Sequence, residues 1–173
     1  PDGVISNADR KMIGDPTPDW VYGLTLNVGY RGFDLSMFFQ GVAGNQIFDI
    51  SRRTDLSSQN LPAWMLDSWT GPGTTNKYPR FVGGNANNSQ ASDFYIKDGS
   101  YTRLKNIQLG YTLPQSITRK ATISQLRVWI GAENLLTFTK YDGFDPEIGD
   151  GYGVDKGIYP QPRTVSFGLD LTF

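Results

Sequence analysis

The sequence predicts an all-β fold, an antiparallel transmembrane β-barrel segment of about five strands with long loops at one end. Three observations carry this. Apolar and polar residues alternate with period two over stretches as long as a tilted membrane-crossing strand, about 9–11 residues. Aromatic residues make up 13% of the chain and Gly accounts for 20 of its 173 residues, a composition that favours strands joined by tight turns. The connections run short, long, short, long, the pattern of a barrel with brief inner turns and extended outer loops.

The first strand is expected over about 20–30. Trp20, Tyr22, Leu24, Leu26, Val28 and Tyr30 share one face, and Val21, Gly23, Thr25, Asn27 and Gly29 the other. Arg31-Gly32 supplies a two-residue turn. The partner strand, about 33–41, puts Phe33, Leu35, Met37 and Phe39 on one face and Asp34, Ser36 and Gln40 on the other, where Phe38 is out of pattern. Residues 42–99 lose the alternation and are rich in Gly, Asn, Ser, Thr and Pro. They are expected to form an extracellular loop, and loops this long are usually functional. Within it, Pro62–Trp69 has the look of a short helix with Pro in its first turn.

Alternation resumes over about 101–113, with Ile107, Leu109, Tyr111 and Leu113 on the apolar side and Pro114 as terminator. On unbroken parity Arg103 and Lys105 fall on that same side near its outer end, where a lipid headgroup zone tolerates cations. A short connection, about 115–124, leads to a strand at about 125–138. There Leu126, Val128, Ile130 and Ala132 oppose Arg127, Trp129, Gly131 and Glu133, until Asn134 signals a bulge or the end of the membrane zone. A second extracellular loop, about 140–161, precedes the last strand, about 163–173. In it Val165, Phe167, Leu169, Leu171 and Phe173 alternate with Thr164, Ser166, Gly168, Asp170 and Thr172.

A soluble β-sandwich also alternates, so a secreted carbohydrate-binding sandwich is the alternative reading. Two features favour the barrel. Typical soluble strands run about 5–6 residues, well short of these. Trp20 and Tyr30 cap the two ends of one apolar face, as interfacial girdles do. Five strands cannot close a membrane barrel without unpaired edges in lipid. Further strands upstream are therefore expected, and the opening Pro1-Asp2-Gly3 is read as the start of a piece that does not fold alone.

The chain has no Cys and no His, which removes disulfides, thiolate zinc sites and His-based triads. A net charge of −1 gives no basic field for nucleic acid. No phosphate-cradling loop or paired-carboxylate constellation is present, so no enzyme, cofactor or metal site is expected. Trp64 and Trp69, beside Met65, are candidate substrate-stacking residues, against the plainer reading that they pack their own loop or a lid protein. Asp142, Asp145, Glu147 and Asp150 have oxygen ligands suited to Ca²⁺ but no EF-hand spacing, and a solvated polar loop is the favoured reading. Asp34, Arg127, Glu133 and Asp170 fall on the lumen parity and suit either a plug or substrate contact or simple wetting. Arg163, set between Pro162 and the last strand, is expected to play a structural role at the rim.

Four stretches together resemble SusC/RagA-type TonB-linked outer-membrane transporters. They are GDPTPDWVYGLTLNVGYRGFDLSMFFQG (Gly14–Gly41), SYTRLKNIQLGYTLP (Ser100–Pro114), NLLTFTKYDGFDPE (Asn134–Glu147) and YPQPRTVSFGLDLTF (Tyr159–Phe173). The resemblance covers nearly the whole of 1–173 and implies the C-terminal portion of a barrel of about 22 strands whose lumen holds a plug. It implies an outer-membrane active importer of oligosaccharides or peptides in a Gram-negative, Bacteroidetes-like cell. A SusD-like surface lipoprotein is implied as lid and the TonB complex as motor. In that setting Phe173 is the candidate signal for outer-membrane assembly.

Overall fold

The computed structural model describes residues 3, 6–52, 60, 63–82, 88, 90–148 and 151–173. In chain order their strands are β1 (Trp20–Tyr30), β2 (Phe33–Ala43), β3 (Gln46–Asp49), β4 (Ile96–Asp98), β5 (Tyr101–Thr112), β6 (Gln125–Thr139), β7 (Val154–Asp155) and β8 (Thr164–Thr172). The long ones form one sheet in the order β1-β2-β5-β6-β8, each antiparallel to its neighbour.

The β1–β2 hairpin closes through Arg31 and Gly32, whose φ angles are 45° and 88°. Two left-handed residues in a two-residue turn match the twist of the flanking strands. Gly is required at the second position, because a Cβ there would lie 2.8 Å from the Thr112 carbonyl oxygen on β5. The short connection between β5 and β6, at the same end, holds the one-turn helix α1 (Gln115–Thr118) and a following 3-10 turn.

Register then aligns the apolar parities across the sheet. Leu24 faces Phe39, Leu26 faces Met37, Met37 faces Ile107, Leu109 faces Ile130 and Ile130 faces Phe167. The resulting apolar face is uncovered: Leu24 is 53% exposed, Ile130 54% and Phe167 88%. An eleven-residue strand such as β1 spans roughly 36 Å along its axis, or roughly 25 Å when tilted by about 45°, the height of a barrel's apolar band.

One irregularity changes the assignment of faces. Phe38 pairs with Asn106 but Phe39 pairs with Leu104, leaving Lys105 as an extra residue in β5. On the other side Asn106 pairs with Glu133 and Leu104 with Leu136, so Asn134 and Leu135 lie opposite Lys105. Asn134 takes a φ of 51°, the left-handed geometry of a bulge. A single inserted residue reverses the parity of everything beyond it. Arg103 therefore leaves the lipid face for the face of Gln40 and Thr137 and is only 3% exposed. The headgroup placement expected for Arg103 and Lys105 is corrected: both are held by Glu147 of the following loop.

The buried core gathers at the end of the sheet opposite the Arg31-Gly32 turn, and includes Ile47, Tyr95, Tyr101, Leu104 and Tyr141. There β3 pairs antiparallel with β4 and parallel with β7, so the stretches 42–99 and 140–161 are joined in one small sheet. The long stretch is thus partly ordered rather than an irregular loop. Its expected helix is a 3-10 turn at Ala63–Asp67, and Pro62 lies outside the described residues.

Candidate functional site

On the polar face of the sheet, Arg127 of β6 spans three strands. Its Nε and Nη2 donate to the two oxygens of Asp34 on β2 at 2.9 and 2.6 Å, and its Nη1 donates to Asp170 on β8 at 2.9 Å. The guanidinium reaches Asp34 by passing over Gly110 of β5, where a Cβ would stand 2.5 Å from both Arg127 Nη2 and Asp34 Oδ1. A planar fork binding one carboxylate with two parallel bonds fixes orientation as well as charge. Three of the four lumen-parity residues singled out in the sequence, Asp34, Arg127 and Asp170, thus serve one another.

Glycines elsewhere receive aromatic rings in the same way. The indole of Trp129 lies against Gly168, and Phe38, out of pattern in the sequence, fills the space beside Gly23 on the polar face. On the apolar face Tyr22 of β1 crosses Gly41 of β2 and its hydroxyl meets Thr102 Oγ1 on β5 at 2.5 Å. A side chain that covers a strand glycine restores the packing that glycine lacks.

The mouth end carries the more elaborate polar site. Arg103 donates through Nε to Thr137 Oγ1 at 2.9 Å, through Nη1 to Glu147 at 2.7 Å and through Nη2 to Asp145 at 2.5 Å. Lys105 Nζ holds both oxygens of Glu147 at 2.8 and 2.7 Å. Asp145 also accepts the backbone N–H of Glu147 and, at 2.8 Å, that of Gln161. One carboxylate therefore ties β5 to both arms of the 140–161 loop. Burial pushes the Asp145 carboxyl upward, but the Arg103 hydrogen bond and the N–H groups of Gln161 and Glu147 outweigh it and hold the group below the usual carboxylate value.

This geometry replaces the solvated-loop reading of the acidic residues. Asp145 is 8% exposed and engaged, Glu147 is shared by two cations, and Asp142 lies 3.9 Å from Lys97. Asp150 lies outside the described residues, and among those described no group of acidic side chains is arranged to hold a metal. Tyr141 donates its hydroxyl to buried Asp155 at 2.5 Å; burial first, then that bond and the nearby Asp49, push the phenol well above its ordinary value.

Trp64 stacks on Tyr78 at 4.9 Å between ring centroids and meets Phe94 edge-on at 5.8 Å. Trp69 carries Arg80 over its ring at 4.5 Å. Both tryptophans are half-buried by their own loop. Phe173 follows β8 and is fully open to its surroundings, 84% exposed.

No family model matches the chain. Over 99% of its length it is 37% identical to TonB-dependent receptor P3 of Formosa agariphila, of which it covers 18%. Over the same share it is 28% identical to TonB-dependent receptor SusC of Bacteroides thetaiotaomicron, covering 17% of that protein. A structure of the RagAB peptide transporter superposes on 98% of the chain with a TM-score of 0.76 and 29% identity, covering 19% of the matched chain. The chain belongs to the SusC/RagA-type TonB-dependent receptors. It spans less than a fifth of the length of these relatives, and the antiparallel sheet is a fragment of their β-barrel wall.

Within the SusC/RagA-type segment, the Arg103 site was not legible from spacing alone. The signal was indirect: two cations two residues apart in a strand whose next partner breaks pattern at Asn134.

Proposed function

We propose that this segment forms part of the wall and mouth of an outer-membrane TonB-dependent importer of oligosaccharides or peptides. The observation that supports it is the uncovered apolar face running unbroken from β1 to β8, backed by a polar face on which Arg127 is paired with Asp34 and Asp170. A lipid environment outside and water inside require this division. In a secreted sandwich, Leu24, Leu26, Phe167 and Leu169 would be covered by a second sheet; the small β4-β3-β7 sheet leaves them exposed.

In this reading, β1, β2, β5, β6 and β8 are wall, and the stretches 42–99 and 140–161 face the cell exterior. The Arg103 cluster fixes the second stretch to the rim, so that the mouth keeps one shape while substrate enters. A SusD-like lipoprotein covers that mouth, and the TonB complex acts on the plug elsewhere in the receptor. Trp64 and Trp69 contact substrate through the ring surface left open by Tyr78, Phe94 and Arg80. Phe173 contributes to the signal for outer-membrane assembly. The segment's role is structural rather than catalytic.

The test is uptake by cells with and without the full-length receptor, fed labelled oligosaccharide and peptide pools. Receptor-dependent accumulation that a protonophore abolishes supports the reading. Equal accumulation in receptor-deleted cells contradicts it.

A further inference from the structure

A cleft of about 510 Å³ lies at the mouth end, between the end of β6 and the two arms of the 140–161 loop. Thr137 and Thr139 of β6 line it, as do Phe144, Pro160, Gln161 and Arg163. Thr137 pairs in register with Arg103, so the cleft opens on the polar face of the sheet.

Its charges do not balance. The ionisable side chains in its wall are Arg103, Asp145, Arg163 and the Tyr141 phenol. Arg103 is consumed by Asp145 and Glu147, and Tyr141 is occupied by Asp155. Arg163 makes no hydrogen bond or ion pair with the described residues. The hydroxyl of Thr137 accepts from Arg103 Nε, which leaves its own hydrogen to donate. The cleft thus offers a spare guanidinium and a spare hydroxyl donor beside the apolar surfaces of Phe144 and Pro160. A guanidinium fork matches a carboxylate with two parallel bonds.

Building on the importer reading above, we propose that this cleft is a substrate subsite that takes a carboxylate, with Arg163 as its anchor. The carboxylate can come from a peptide or from an acidic sugar; the chemistry recognised is the same. The Arg103 cluster acts as the site's floor and holds Gln161 next to the anchor.

The experiment uses the purified full-length receptor in detergent and two probe pairs: a short peptide with a free C-terminus against its C-terminal amide, and an oligogalacturonate against a neutral oligosaccharide of equal length. The acid member of one pair is expected to bind about tenfold more tightly, and which pair responds identifies the source. Arg163→Gln is expected to erase that preference. Gln161→Glu, which adds a negative charge but keeps the backbone N–H bonded to Asp145, is expected to weaken the acid probe alone. Both variants are compared only after they show the wild-type heat-shifted gel mobility of a folded barrel. Equal binding of acid and neutral probes, or an acid preference that survives both substitutions, overturns the proposal. Protonophore-sensitive uptake that persists in those cases shows that the importer reading stands while the subsite fails.

Discussion

Arg127 clasps Asp34 across an intervening strand, and the clasp exists because position 110 is glycine. Sequence alternation put Asp34 and Arg127 on one face, but nothing in it indicated that residues 93 apart share two hydrogen bonds. Gly110→Ala is expected to push the pair apart and lower the temperature at which the full receptor loses its folded gel mobility. Arg127→Gln is expected to do the same, and the double variant to lose little more than either alone, because both act on one contact. Additive losses would show that Gly110 matters for another reason.

Asp145→Asn removes one of the two carboxylates that hold Arg103 and the charge that accepts the Gln161 and Glu147 N–H groups, while the Arg103–Glu147 pair remains. Losing charge-assisted hydrogen bonds at a buried site costs about 1.5–3 kcal/mol, so residues 141–161 are expected to exchange amide hydrogens faster by a factor of about ten to one hundred. The β1–β2 hairpin is expected to be unchanged. Uniform exchange across both regions would contradict a local role for the cluster.

The same site gives a pH dependence of known sign. The folded Asp145 carboxyl titrates below its usual value of 3.8, so its contribution is fully present above that value and is lost as pH falls through the lower folded value. Loop protection measured by proteolysis is expected to be flat from neutral pH down to about pH 5 and to decline only in stronger acid. A decline centred near neutrality would mean that another group controls the loop.

Lipid-facing and lumen-facing positions of β8 are expected to differ in their tolerance of charge. Phe167→Arg introduces a cation on the lipid face at a cost of about 2–4 kcal/mol near mid-membrane, and the amount of receptor reaching the outer membrane should fall. Ser166→Arg, one residue away on the other face, should be assembled at close to wild-type levels. Equal loss from both would undo the assignment of faces.

Much of the wall was legible in the sequence because side-chain period in a strand is fixed at two. Trp20–Tyr30 and the final strand kept that period without interruption, and their faces follow directly. Arg103 was placed on the wrong face because counting by twos carries no information about an inserted residue, and Lys105 is chemically ordinary. Asn134 hinted at the irregularity from the opposite strand. The small sheet escaped notice for a different reason: β7 has two residues and β3 four, too few to show alternation, and their pairing joins segments about a hundred residues apart. The Arg103 cluster was beyond reach for the same reason, since its acids and bases lie more than forty residues apart.

The chain's lack of cysteine makes the decisive measurement practical. Single cysteines at positions 164 to 171 of the full-length receptor, its remaining cysteines replaced, can be spin-labelled in outer-membrane lipid and tested for collision with oxygen and with a water-soluble nickel chelate. A lipid-facing barrel wall predicts alternation: positions 165, 167, 169 and 171 favour oxygen, and 164, 166, 168 and 170 favour the chelate. Loss of alternation, with the odd positions shielded from both reagents or open to the chelate, would contradict the barrel wall and point to a covered sheet.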